Sequence, residues 1–217
     1  MIINELKDVL ILILGWLLGL LGPVIVDAIK DKREAKAMKA ALFSELHELQ
    51  YRLMLSAYQI ESRYGELNHE FFLWAQGILV GYKGVNSSES LLKIIGPLLK
   101  LTDEQMKTYA QQTKQQNQPI SGLSLKKYSL SLLESYLSSL AKFDSKLRGH
   151  LLELKVHIAF INEVVDDARY YFRLSFQNNI SPTNYDIANN NMIDSYKAYK
   201  SQARVAVEII GKILSKK

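Results

Sequence analysis

The sequence predicts an all-α protein: one N-terminal transmembrane helix that continues into a cytosolic antiparallel coiled coil or helical bundle. Three observations carry this prediction. Four prolines and eleven glycines are few for 217 residues rich in Leu, Lys, Ser, Tyr and Ala, a composition that favours helix. The run from Val9 to Val26 contains no charged side chain. Two later stretches repeat apolar residues at alternating spacings of four and three, the seam that packed helices require.

The predicted organisation is an anchor over residues 1–29 and a bundle over residues 30–217. Hydrophobic content of 48% against 23% charged suits a folded chain of one domain with an appendage. With no cysteine, disulfides, thiolate metal sites and cysteine nucleophiles are all excluded. Charge is uneven. Residues 1–27 hold Lys7 against Glu5, Asp8 and Asp27, whereas the rest carries 26 basic and 19 acidic side chains. A basic body of this kind suits an anionic neighbour, either lipid head groups or nucleic acid, or is simply a solvated basic surface.

The uncharged run Val9–Val26 is eighteen residues, about 27 Å of helix, which matches the hydrocarbon thickness of a bilayer. It has no polar face, so it does not read as an interfacial amphipathic helix. Nor does it read as a cleaved signal, because Met1–Asp8 has more acid than base and no small-x-small cleavage site follows. Lys30, Lys32, Arg33, Lys36 and Lys39 follow the run, with only Lys7 before it. This asymmetry predicts a single-pass protein with its N-terminus outside and its C-terminal body in the cytosol. Gly15, Gly19 and Gly22 share one face and predict close packing between copies, hence a homo-oligomer. Pro23 predicts a kink or hinge near the cytosolic end.

Beyond the anchor the helix is expected to continue to Tyr64, with a seam at Leu42, Leu46, Leu49, Leu53, Ser56 or Ala57, and Ile60. Gly65 ends it. A short helix over 66–80 follows, too short to cross a bilayer and so read as core. Asn86 with Glu89 predicts a helix start, Gly96-Pro97 an interruption, and Thr102 with Gln105 a further start. The polar stretch 111–122 reads as a surface loop. The longest periodic element runs over 123–176, its seam at Leu147, Leu151, Leu154, Ile158, Ile161, Val165, Ala168 and Phe172 expected to pair antiparallel with the Leu42–Ile60 seam. Gly149 is a candidate bend. Ser181-Pro182 opens the last helix, in which Asn189-Asn190-Asn191 is a candidate loosening and whose end is read as core in preference to a membrane-surface helix.

No phosphate-cradling glycine loop, nucleophile elbow or His-Glu-x-x-His motif occurs. No enzymatic activity and no cofactor are expected. Glu66-Leu-Asn-His69 has the Glu-x-x-His spacing of di-iron bundles, but Glu153 and His157 are four apart and supply no second copy, so no metal is expected. Arg63-Tyr-Gly-Glu-Leu-Asn-His69 resembles the signature of HEPN ribonucleases, in which Arg precedes His by four to six intervening residues. Those are helical bundles in which His and Arg of two protomers meet to cleave RNA. The resemblance implies, as an alternative, a membrane-tethered ribonuclease using Arg63 and His69, although Gly65 divides the motif. Arg169, Tyr170 and Arg173, beside Asp166 and Asp167, read as an intrahelical charge network or a patch for a partner protein.

The plan of the chain, a terminal membrane segment joined to a helical cytosolic part, resembles small membrane effectors of bacterial antiviral defence, of the retron-associated or CRISPR-accessory kind. That resemblance implies a non-enzymatic protein that damages the inner membrane when triggered. It also implies a cytosolic protein or ribonucleoprotein partner; direct nucleic-acid binding is not expected. A passive scaffold recruiting a cytosolic partner is the other reading.

Overall fold

The computed structural model describes residues 2–84, 88–117, 123–177 and 180–215, with side chains from residue 10 onward. Among these residues every regular element is helical: α1 (Ile2–Tyr64), α2 (His69–Gly81), α3 (Glu89–Leu98), α4 (Asp103–Gln116), α5 (Ser131–Ser135), a 3₁₀ turn (Leu137–Lys142), α6 (Ser145–Leu174) and α7 (Pro182–Leu214). The chain divides into two compact units, Met1–Leu42 and Phe43–Lys217, and α1 contributes to both.

In the first unit α1 is apolar on every side between Leu10 and Val26. Its large side chains from Leu10 to Ile29 are exposed, from 42% for Leu17 to 74% for Leu12. Pro23 lies inside the helix and does not end it. This is the one described helix long and apolar enough to cross a membrane, with a mean hydropathy of 2.3 in its most apolar window.

In the second unit the helix ends follow local chemistry. Gly65 closes α1, its amide bonded to the Glu61 carbonyl at 3.1 Å. A Cβ at Gly65 would strike the Glu61 carboxylate, which the Lys200 ammonium holds at 2.6 Å. Asn68 Oδ1 accepts from the Phe71 amide, so α2 begins at His69, later than its apolar residues alone suggest. Thr102 and Gln105 form the expected capping box. Asp144 and Ser181 cap α6 and α7, with Pro182 in the first turn of α7.

Both predicted seams are core. Leu42, Leu46, Leu49, Leu53, Ala57 and Ile60 are buried, as are Leu147, Leu151, Leu154, Ile158, Ile161, Val165 and Ala168, whereas Phe172 at the end of the second seam is only half-buried. Their partners need correcting. Helix α6 packs along α7, and His157 Nδ1 lies 2.8 Å from Gln202 Oε1. Residues 43–64 also meet α7: Gln50 donates to the Val207 carbonyl, Lys200 to Glu61, and the Tyr64 and Tyr196 rings stand 5.1 Å apart. These contacts climb α1 as they descend α7. The helix that these contacts show running against residues 43–64 is α7, where α6 was expected.

Residues 123–130, expected as helix, have no regular structure. Their backbone groups bond to side chains of distant helices instead. The Tyr128 amide donates to Asn162 Oδ1 at 2.8 Å, and Asn162 Nδ2 donates back to the Tyr128 carbonyl at 2.7 Å. The Leu123 amide donates to the Tyr196 hydroxyl. Helix resumes only in the short α5 and the 3₁₀ turn.

Smaller differences follow the same logic. Residues 111–116 of the expected polar loop are the end of α4, because Gln and Lys are good helix formers; 118–122 lie outside the described residues, as does Asn86. Pro97 sits within α3, Gly149 within α6 and Asn189–Asn191 within α7, each without a break. The end of α7 is core, with Ala206, Val207, Ile209, Ile210 and Ile213 buried.

Candidate functional site

The apolar part of α1 is the first candidate. A methyl group placed on Gly15, Gly19 or Gly22 would meet nothing within 4 Å, so this face has room for another helix. Lys30, Lys32, Arg33 and Lys36 are exposed and Lys39 is half-buried.

The Arg63–His69 motif divides between two environments. His69 lines a recess of about 540 Å³ with Glu66, Asn68, Asp103, Lys107 and Lys114; Arg63 is not among its lining residues. His69 Nε2 donates to the Leu101 carbonyl at 2.8 Å, and Nδ1 stands 3.4 Å from Asp103 Oδ1. That ring ties the start of α2 to the start of α4. Arg63, in the last turn of α1, acts electrostatically on the hydroxyls of Tyr64 and Tyr196. Glu66 lines the recess beside His69, but among the described residues no three acidic or imidazole groups gather as metal ligands.

Arg169, Tyr170 and Arg173 have separate tasks. Arg169 Nη2 donates to the Leu125 carbonyl at 3.1 Å, and Arg173 Nε donates to the Arg169 carbonyl at 3.3 Å. Asp166 bonds Lys127 in place of the intrahelical partner that its spacing suggests. Arg169 also lines a recess of about 300 Å³ with Phe172 and Tyr196. Tyr170 is 54% exposed, and Phe176 nearby is exposed too.

Below them the core carries a set of tyrosines. Burial raises Tyr58 and Tyr196 to about 12 and pushes Tyr199 further in the same direction. Burial likewise raises Tyr64, with Arg63 opposing the shift. These phenols therefore stay neutral in the folded chain and offer no proton chemistry near neutral pH.

Sequence reasoning missed a groove of about 500 Å³ between α2 and α7, lined by Trp74, Gly77, Ile78, Gly81, Val207 and Leu214 among others. The Arg204 guanidinium lies 5.3 Å from the centre of the Trp74 ring beside it. The signal was present. Apart from His69, Glu70 and Gln76, helix α2 is apolar or glycine all round, more than one buried face needs. No protein-family model, curated protein or solved structure matches the chain.

Proposed function

We propose that this chain is a non-enzymatic, single-pass inner-membrane protein that self-associates and acts on the bilayer as a triggered effector of antiviral defence. The observation that supports it best is the exposure of every large apolar side chain between Leu10 and Val26. A helix uniformly apolar in this way needs lipid or protein around it. The five basic residues from Lys30 to Lys39 hold the C-terminal body on the cytosolic side. Gly15, Gly19 and Gly22 bring spans of several copies together, with Pro23 as the joint. A cytosolic protein or ribonucleoprotein engages the body at Arg169, Tyr170 and Arg173, and the assembled spans then breach the membrane.

The test is induction in bacteria with a membrane-potential dye and total RNA followed together. Depolarisation is expected; Gly15→Leu with Gly19→Leu abolishes it, and His69→Ala leaves it intact. RNA decay that His69→Ala prevents would instead assign a ribonuclease, and no change in either readout would leave a scaffold.

A further inference from the structure

We propose that the outer face of α6 is a contact between two copies of this chain, laid side by side in parallel and in register. The face of α6 that carries Leu147, Leu151, Leu154, Ile158 and Ile161 is core. The opposite face carries a second seam, Gly149, Leu152, Val156 and Ala159, again at spacings of three and four. Leu152 is 45% and Val156 52% exposed, Phe160 on their flank is 46% exposed, and Gly149 and Ala159 are exposed as well. Glu163, next in the series, ends the apolar stretch. A helix with an apolar seam on each side suits two partners, and the fold supplies one.

Charge identifies the occupant and its direction. Arg148 and Lys155 line one flank of the seam, and Glu153 and Phe160 line the other. Glu153 stands 3.4 Å from His150 and its side chain is half exposed. Arg148 and Lys155 have no ion-pair partner among the described residues. In a parallel pair the basic flank of each copy meets the other flank of its neighbour, five positions further along the chain. Arg148 then faces Glu153 of the second copy, and Lys155 faces its Phe160 ring, twice over by symmetry. A reversed pair would set basic flank on basic flank, so the charges select the parallel one.

The direction agrees with the rest of the molecule. His157 meets Gln202, and Ala168 and Phe172 share a recess with Tyr196, so α6 runs opposite to α7. Residues 43–64 also run opposite to α7. A parallel α6 pair thus keeps α1 of both copies pointing one way, as two anchors in one membrane must. The seam from Gly149 to Ala159 is about 16 Å long, too short to bury the ~800 Å² per partner of a stable interface. The contact therefore belongs to copies already concentrated by their anchors, and in this it rests on the membrane reading.

The sequence has no cysteine, so introduced ones report without background. In membranes from cells expressing the full chain, mild oxidation should link Leu152→Cys and Ala159→Cys, each alone, into disulfide dimers. Their yield should stand several-fold above that of Ser201→Cys on α7, because the bond needs Cβ atoms about 4 Å apart and only seam residues face their own counterparts. All three positions are exposed, so the fold is kept. In the Leu152→Cys chain, Arg148→Glu should lower the yield several-fold, and adding Glu153→Arg should restore it. Single variants linking no better than Ser201→Cys, linking that needs both seam cysteines in one chain, or no restoration by the charge swap each overturns the proposal. Failure of the membrane reading shows separately, as protein in the soluble fraction.

Discussion

Placing two arginines at the middle of the apolar run, Leu17→Arg with Leu18→Arg, should release the chain from membranes. Between Val9 and Val26 there are thirteen Leu, Ile and Val side chains, each worth roughly −0.3 to −0.6 kcal/mol toward insertion, together roughly −4 to −8 kcal/mol. An arginine at the centre costs roughly 3 kcal/mol and forfeits the leucine it replaces, so the pair shifts the balance by about 6 to 8 kcal/mol and cancels it. Leu17 and Leu18 are 42% and 67% exposed, so the substitution removes no core packing. The assay is carbonate extraction of isolated membranes. The unaltered chain should stay in the pellet, as should Leu17→Ala with Leu18→Ala, while the double arginine variant moves to the supernatant. A double arginine chain that resists extraction like the parent would refute the reasoning, and so would a parent chain that is released.

Two further outcomes concern the body. Because burial raises Tyr196 from 10.0 to about 12, its contribution of ~3 kcal/mol is complete below pH 10 and is lost as pH rises toward 12. Denaturation midpoints of the full chain in detergent should therefore fall over that interval, and a flat profile there would contradict the assignment. Asn162→Ala, which removes both bonds to the Tyr128 backbone, should cost about 2 kcal/mol in the same measurement; an unchanged midpoint would show that these bonds contribute nothing.

The parts of the fold legible in the sequence were those set by local periodicity and capping. The seam from Leu147 to Ala168 is buried at each step, and Thr102 and Ser181 cap the helices they were expected to start. Residues 123–130 were not legible, because their Leu, Ser and Lys side chains fit a helix while their bonding partners lie 34 to 73 residues away. Which helix runs beside the α1 seam depends on contacts far apart in sequence, such as Gln50 with Val207 and Glu61 with Lys200, and no local spacing encodes those. Of the candidate sites, the apolar run is visible because composition alone defines it. The two ends of the Arg63–His69 motif diverge because Asn68 caps a new helix between them. The outer face of α2 was hidden by its inner one, both being apolar.

The irregular strand of chain at 123–130 is fastened at Tyr196 on α7, at Arg169 and Asn162 on α6, and through the Tyr128 hydroxyl to Ser56 on α1, 3.2 Å away. It works as a lacing drawn across three columns, α1 on one side of it in sequence and α6 and α7 on the other. The Leu123 and Tyr128 amides, bonded to Tyr196 and Asn162, should thus exchange with deuterium as slowly as helical ones, and cutting the segment would loosen all three columns together.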